Sequence, residues 1–429
     1  MPEPEARGTG ETIEETTRRP ETPRSSLIQA ARFWVPLAVL GTVLYSWLLV
    51  KFAGLPPDLR EGSNDLRIYR ETGEALLRGD IPYRDFFIEY PPGSIVAFVP
   101  PALFSSNANG YINLFANEMA LALVAALALT ALTALRIGGS RAWIAPALTF
   151  AAAAVMLYPV AVTRYDAVVA LTLAVAALCA TFGGRYLLLA YASLGFGAAA
   201  KLVPALATLP LALARRRGAL SGFVIFSGVL ALFFAPALLL GGDRFLQSFA
   251  YHAERGLQVE SLPSSVLMQL GWIESISFEF GAFEVHGRGV ELATSLSLPL
   301  TAALLLITAL VIYRKRRAGR MALNDFPRYA AALILAFMLG SKVLSPQYMI
   351  WLLPLVPLGA SGLAGIGVSV LFLVACWMTT QVFPLHYNDL LNLRPPGPEL
   401  LLGRNLTLVA LWTLMLLLPA GNSSDKETG

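Results

Sequence analysis

Only two cysteines and three histidines occur in 429 residues, and charged side chains make up just 14% of the chain. Cys179 and Cys376 each lie inside an apolar run, which excludes a disulfide framework and a cysteine-based metal centre. His252, His286 and His386 are scattered, so a metal site would have to be built from carboxylates. The sequence contains no H-E-x-x-H pattern, no P-loop and no dinucleotide fingerprint. Soluble domains are roughly a quarter charged, so a soluble enzyme is excluded as well. The net charge of +4 comes from short basic clusters beside apolar runs, which is not the footprint of a nucleic-acid module.

What the chain has in quantity is apolar surface: 56% hydrophobic residues and a mean hydropathy of +0.62. Of its 60 charges, 49 fall in seven hydrophilic stretches, 1–26, 53–90, 215–217, 241–292, 314–328, 384–399 and 421–429. That pattern predicts an all-α, polytopic transmembrane helical bundle, because a bilayer core admits only backbones that satisfy their own hydrogen bonds. Nearly charge-free runs at 33–51, 113–135, 143–162, 166–183, 186–200, 202–214, 219–240, 293–313, 327–341, 346–360, 363–383 and 400–420 predict about 12 spans. Several are shorter than the roughly 20 residues a square crossing needs. Breaks are expected at Lys201–Leu202–Val203–Pro204, Ser345–Pro346 and Tyr90–Pro91–Pro92–Gly93. Such breaks are tolerated where they line a protein cavity, and 91–104 reads as re-entrant or interfacial. The first run, Phe33–Val50, is long enough to remain as an anchor rather than a cleaved signal.

Orientation follows from the short loops. Arg215–Arg216–Arg217, Arg314–Lys315–Arg316–Arg317 and the arginines at 18, 19, 24 and 32 are placed in the cytoplasm, with both termini. The long loops 53–90 and 241–292 then lie outside, carrying 8 acids against 5 bases and 7 against 3. Residues 1–30 and 421–429 read as disordered cytoplasmic tails around one domain, 31–420, whose external loops hold short helices.

Polar residues gather in four places, all expected on one face. The first loop holds Asp65 at the start of an amphipathic helix over 65–78, with Leu66, Tyr69, Gly73, Leu76 and Leu77 on one side. Asp65 there is either a helix cap or a chemical group. Thr163–Arg164–Tyr165–Asp166 lies between two spans, where an Arg and an Asp either clasp a turn or meet a substrate. Tyr251–His252–Ala253–Glu254–Arg255 and the residues to Ser261 form a mixed polar segment whose plain reading is a solvated loop. Lys342 and Lys201 sit at polar breaks between apolar halves, either as site residues or snorkelling to the interface.

Together these pieces resemble the polytopic GT-C class of glycosyltransferases, and within it the bacterial polyprenyl-phosphate-mannose-dependent α-mannosyltransferases. The matching stretches are N-D-L-R-I-Y at 64–69, G-D-I-P-Y-R-D at 79–85, E-Y-P-P at 89–92, A-K-L-V-P at 200–204, G-L-Q-V-E-S at 256–261 and S-K-V-L-S-P-Q-Y at 341–348. Arg164–Tyr165–Asp166 departs from the Gly-Gln-x-Asn-type sequence of such relatives. The resemblance implies an inverting enzyme of the bacterial plasma membrane. It would move a hexose, most readily mannose, from a polyprenyl-phosphate donor to a glycolipid or glycan acceptor on the outer face. Asp65 would be the catalytic base. Arg255, His252 and Lys342, with Lys201 and Arg164 behind them, would meet the donor phosphate. Asp166, Gln347 and Glu260 complete the expected substrate-binding set. No metal or other cofactor and no nucleic acid are expected, and the bilayer itself is a partner. Arabinose or glucose donors are the alternatives within that class, and a secondary transporter the alternative outside it, although the two halves of the chain do not match as transporter repeats do.

Overall fold

A computed structural model describes residues 23–60, 64–105, 107–216 and 218–419, without the side chains of 23–29, Asp58, Asn64 and His252. The expectations for the tails 1–22 and 420–429, for Ser63, Arg217 and the His252 side chain fall outside the described residues. The chain divides into two compact units, Met1–Leu40 and Gly41–Gly429, and the site lies wholly within the second.

The order of elements begins with α1 (Pro23–Ala53), α2 (Pro57–Arg60), α3 (Asn64–Leu77), α4 (Ile95–Leu103), α5 (Ala108–Gly138), α6 (Ile144–Met156), α7 (Tyr158–Ala161), α8 (Asp166–Phe182) and α9 (Tyr186–Ala200). It continues with α10 (Thr208–Ala214), α11 (Ala219–Gly241), α12 (Asp243–Glu254), α13 (Leu262–Gln269), β1 (Ile273–Glu279), β2 (Ala282–Gly287) and α14 (Val290–Arg317). It closes with α15 (Phe326–Gly340), α16 (Met349–Leu352), α17 (Gly362–Thr380), α18 (Tyr387–Leu391) and α19 (Gly397–Leu417).

Among the described residues six helical stretches, Ala30–Ala53, Ala108–Gly138, Ala219–Gly241, Val290–Arg317, Gly362–Leu385 and Gly397–Leu417, are long and apolar enough to cross a bilayer. On α11, Leu220, Val224, Leu232 and Leu239 are 63% to 82% exposed. Water would penalise that stripe, whereas lipid does not. The short apolar runs behave differently. Almost every residue of α15 is buried, as are Pro346, α16 and the turn at Val356–Pro357. Irregular backbone is sheltered there by surrounding helices, which is why those runs are short.

The expected breaks are present. Helix α9 stops at Ala200 and resumes as a 3-10 turn, Val203–Ala207, with Pro204 near its start, where no amide hydrogen is required. Another 3-10 turn, Pro92–Ser94, leads into α4. A Cβ on Gly93 would lie 2.5 Å from the Ala199 carbonyl carbon, so this turn packs backbone to backbone on the end of α9. That contact brings Tyr90 and Lys201 into one neighbourhood.

The two long loops meet. Arg244 donates to the Arg84 carbonyl at 2.6 Å, and the rings of Tyr83 and Phe245 lie 5.0 Å apart. In the first loop, α3 buries Leu66 and Tyr69 as expected but leaves Leu77 46% exposed. It crosses α4 at Gly73, where a Cβ would fall 2.4 Å from the Phe98 carbonyl oxygen. The second loop holds the expected short helices and also an antiparallel hairpin that the expectation omitted, pairing Ile276 with Val285 and Ser277 with Glu284. Its turn residues Phe280 and Gly281 both have positive φ, 46° and 73°, as a two-residue hairpin turn requires. Leu257–Val259 adds to the free side of β2 through Val259 N to Phe283 O at 2.9 Å and Val285 N to Leu257 O at 3.0 Å.

Candidate active site

A cavity of about 670 Å³ opens where these loops meet the broken helices. Asp65, Arg164, Lys201, Arg255, Glu260, Lys342 and Gln347 all line it, although they come from five separate stretches of sequence. Asp166 stands behind Lys201.

Asp65 lies in the first turn of α3, its side chain 31% exposed. One carboxylate oxygen accepts from the Tyr90 hydroxyl at 2.6 Å, and the other meets the Arg164 guanidinium at 2.9 Å. Burial first, and the Asp65 charge second, push the Tyr90 phenol well above its usual 10, so Tyr90 remains a donor. Tyr69, Tyr90, Tyr165 and Phe98 form a ring cluster beneath, with Tyr69 stacked on Phe98 at 4.4 Å and Tyr90 5.5 Å from Tyr165. A packed aromatic floor of this kind fixes the carboxylate in place. Arg164 and Asp166 each cross to a partner far along the chain, Asp65 and Lys201 respectively.

Lys201 caps the end of α9. Its amine contacts Asp166 Oδ1 at 2.8 Å and stands 4.9 Å from the Tyr165 ring, 5.2 Å from Trp351 and 5.5 Å from Tyr348. Trp351 donates its indole N–H to the same carboxylate oxygen at 2.6 Å. Aromatic faces attract a cation without neutralising it, so the amine is held in a cage whose anionic partner, among the described residues, is Asp166.

Arg255, at the end of α12, pairs with Glu89 at 2.8 Å, the two side chains 15% and 12% exposed. Burial raises the Glu89 carboxyl above its ordinary range, and Arg255 partly offsets that. Lys342 lies close by, but its amine donates to the carbonyls of Ala253 and Arg255. It therefore closes the end of α12, where helix carbonyls lack partners. Gln258 accepts from Leu344 N at 2.7 Å and donates to Ser345 at 3.2 Å, tying the 256–261 strap to the polar break at 341–345. Glu260 is 1% exposed and engages Arg404 at 3.2 Å, and Arg404 also donates to the Glu260 carbonyl at 2.6 Å. Its carboxyl is pushed up to about 7 by burial, against the pull of Arg404.

Sequence reasoning missed four contributors. Glu89 was visible only as part of a motif, Tyr90 in that motif and as an interfacial aromatic, and Trp351 as one more apolar residue. Arg404 carried a readable signal, a lone cation inside the apolar run 400–420, where such a residue is costly unless paired. Among the described residues, no group of three or more His, Cys, Asp or Glu is arranged to hold a metal ion.

A family model, glycosyltransferase family 87, matches residues 87–346, well over half the chain. Asp65 precedes the matched residues, whereas its partners Tyr90 and Arg164 lie within them. No curated protein matches the sequence. Among solved structures, ArnT from Cupriavidus metallidurans bound to undecaprenyl phosphate is similar at 16% identity and a TM-score of 0.49, covering 90% of this chain and 78% of that one. The same protein in the apo state gives 14% and 0.46 over the same shares.

Proposed function

Because this chain belongs to glycosyltransferase family 87, we propose that it transfers a hexose, mannose first among the candidates, from a polyprenyl-phosphate donor to a glycolipid or glycan acceptor. The carrying observation is the conjunction, in one cavity, of the Asp65 carboxylate with the cations of Arg164, Lys201 and Arg255. A lipid-linked sugar phosphate enters from the bilayer, with its tail between helices and its headgroup among those cations.

The acceptor hydroxyl is a poor nucleophile, and Asp65 takes its proton as the oxygen attacks the anomeric carbon. The bond from that carbon to the phosphate oxygen breaks, and polyprenyl phosphate leaves with the electron pair. Single displacement inverts the configuration. Lys201 and Arg255 stabilise the charge growing on the leaving phosphate, each exchanging a protein carboxylate for the ligand's oxygen. Tyr90 and Arg164 hold Asp65 in position. Lys342, Gln258 and Glu260 act one step back, by fixing the strap that carries Arg255.

The basic clusters favour cytoplasmic termini, with the joined loops outside a bacterial plasma membrane. The test is purified protein in lipid nanodiscs, offered polyprenyl-phosphate mannose, glucose and arabinofuranose with release of polyprenyl phosphate as the readout. Release from the mannose donor alone is expected. Turnover of nucleotide sugars only would overturn the lipid-donor assignment.

A further inference from the structure

A second cavity of about 510 Å³ adjoins the first, lined by Glu71 and Thr72 of α3, by Arg78 just past its end, by Phe87 and Glu89, and by Tyr251 of α12. Its size falls in the range of about 300–1,000 Å³ usual for small-ligand sites. Glu89 lines both cavities. Its ion pair with Arg255 at 2.8 Å, and the stacking of Arg255 at 5.2 Å from the Tyr251 ring, form the partition between them.

The two spaces differ in charge. The first gathers Arg164, Lys201, Arg255 and Lys342 against the carboxylates of Asp65, Glu89 and Glu260, an excess of cations. The second presents the carboxylates of Glu71 and Glu89, while Arg78 is turned to Asp80 at 3.3 Å. A phosphate is therefore favoured in the first over the second. The second offers carboxylate oxygens that only accept hydrogen bonds. It also offers aromatic faces: Phe87 is 53% exposed, and its ring lies 5.7 Å from that of Tyr251. Accepting oxygens beside exposed rings suit an uncharged ring with many hydroxyls, whose C–H face packs on the aromatics while its O–H groups donate. Glu89 is followed by Tyr90, which donates to Asp65, so a ligand at the partition lies next to the attacking chemistry.

We infer that the second cavity binds the acceptor as an uncharged hexose ring, with Phe87 and Tyr251 against its face and Glu71 and Glu89 accepting from its hydroxyls. This rests on the glycosyl-transfer reading above. The same ring is offered by a soluble glycan and by a glycolipid headgroup.

Two photoreactive probes, a soluble α-mannobioside and its octyl glycoside, are cross-linked to the full chain in nanodiscs free of glycoside detergent and mapped by mass spectrometry. Labelling within 68–89 and at 251 is expected. Labelling by both probes assigns a glycan, and by the octyl probe alone a glycolipid headgroup. In turnover with polyprenyl-phosphate mannose, Phe87→Ala and Glu71→Gln, both at exposed positions, should raise the acceptor KM about tenfold and leave the donor KM unchanged. Labelling confined to 341–351, or an acceptor KM unmoved in both variants, overturns the inference. Cross-linking does not require turnover. A protein that labels here yet releases no polyprenyl phosphate keeps this site and loses its donor, whereas one that transfers sugar but labels elsewhere loses only this site.

Discussion

Arg404→Met removes three hydrogen-bond donors from a buried site behind the wall of the first cavity. Arg404 and Glu260 are 0% and 1% exposed, and the guanidinium bonds Glu260 Oε2 at 3.2 Å, the Glu260 carbonyl at 2.6 Å and Asn405 at 3.0 Å. Methionine retains much of the stem's volume, so the cost is mostly electrostatic. Removing one partner of a buried ion pair costs about 3–5 kcal/mol. Glu260 can escape the upper end of that range by taking a proton, since burial already pushes its carboxyl up to about 7. A loss near 3 kcal/mol is therefore expected, read as a lower melting temperature of the detergent-solubilised protein by intrinsic fluorescence. In a Glu260→Gln background the same substitution should cost at least about 1 kcal/mol less, the signature of a coupled pair. An equal loss in both backgrounds would refute the pairing as the cause, and no loss at all would refute the burial argument.

The same carboxyl sets a pH dependence. From its ordinary 4.5 to about 7, the folded state holds a proton that the unfolded state has released, so stability should fall as pH rises through that window and level off above it. Melting temperatures that rise between pH 5 and 7 in the wild type, but not in Glu260→Gln, would contradict this. Gln258→Ala strands the buried Leu344 amide and drops the Ser345 contact, at about 1–3 kcal/mol; the donor KM should rise with the melting temperature lowered, and an unchanged donor KM would detach the strap from the site. Trp351→Phe removes the indole donor to Asp166 but keeps a ring near Lys201, and about a tenfold rise in donor KM is expected from a charge-assisted bond worth roughly 1.5–3 kcal/mol. An unaltered donor KM would show that Asp166 positions Lys201 without help.

Hydropathy revealed the long helices, the positions of the breaks and the gathering of polar residues in two loops, because each follows from local composition. It did not reveal that α15 and the 346–358 segment are interior elements, since an apolar run looks the same facing lipid or packed inside protein. The hairpin was legible in the alternation around Ile276 and Phe278 and in Phe280–Gly281, but loop length and polarity masked it. Partner choice was least accessible. Nothing local says that Arg164 reaches Asp65 across about a hundred residues, that Lys201 shares Asp166 with Trp351, or that Lys342 spends its donors on carbonyls. Those pairings depend on how helices cross, which Gly73 and Gly93 decide through backbone contacts. Asp65 and Lys201 were found because a charge at the rim of an apolar run is conspicuous, and Arg404 could have been found for the same reason.

Asp65→Asn isolates the proposed proton transfer. Asparagine keeps the shape of the side chain and an oxygen for the Tyr90 hydroxyl, but is a far weaker base. The rate of mannosyl transfer from polyprenyl-phosphate mannose should fall about 10²–10⁴-fold, while the variant still inserts into membranes and binds the donor in nanodiscs. Transfer at the wild-type rate by a folded Asp65→Asn protein would contradict the mechanism.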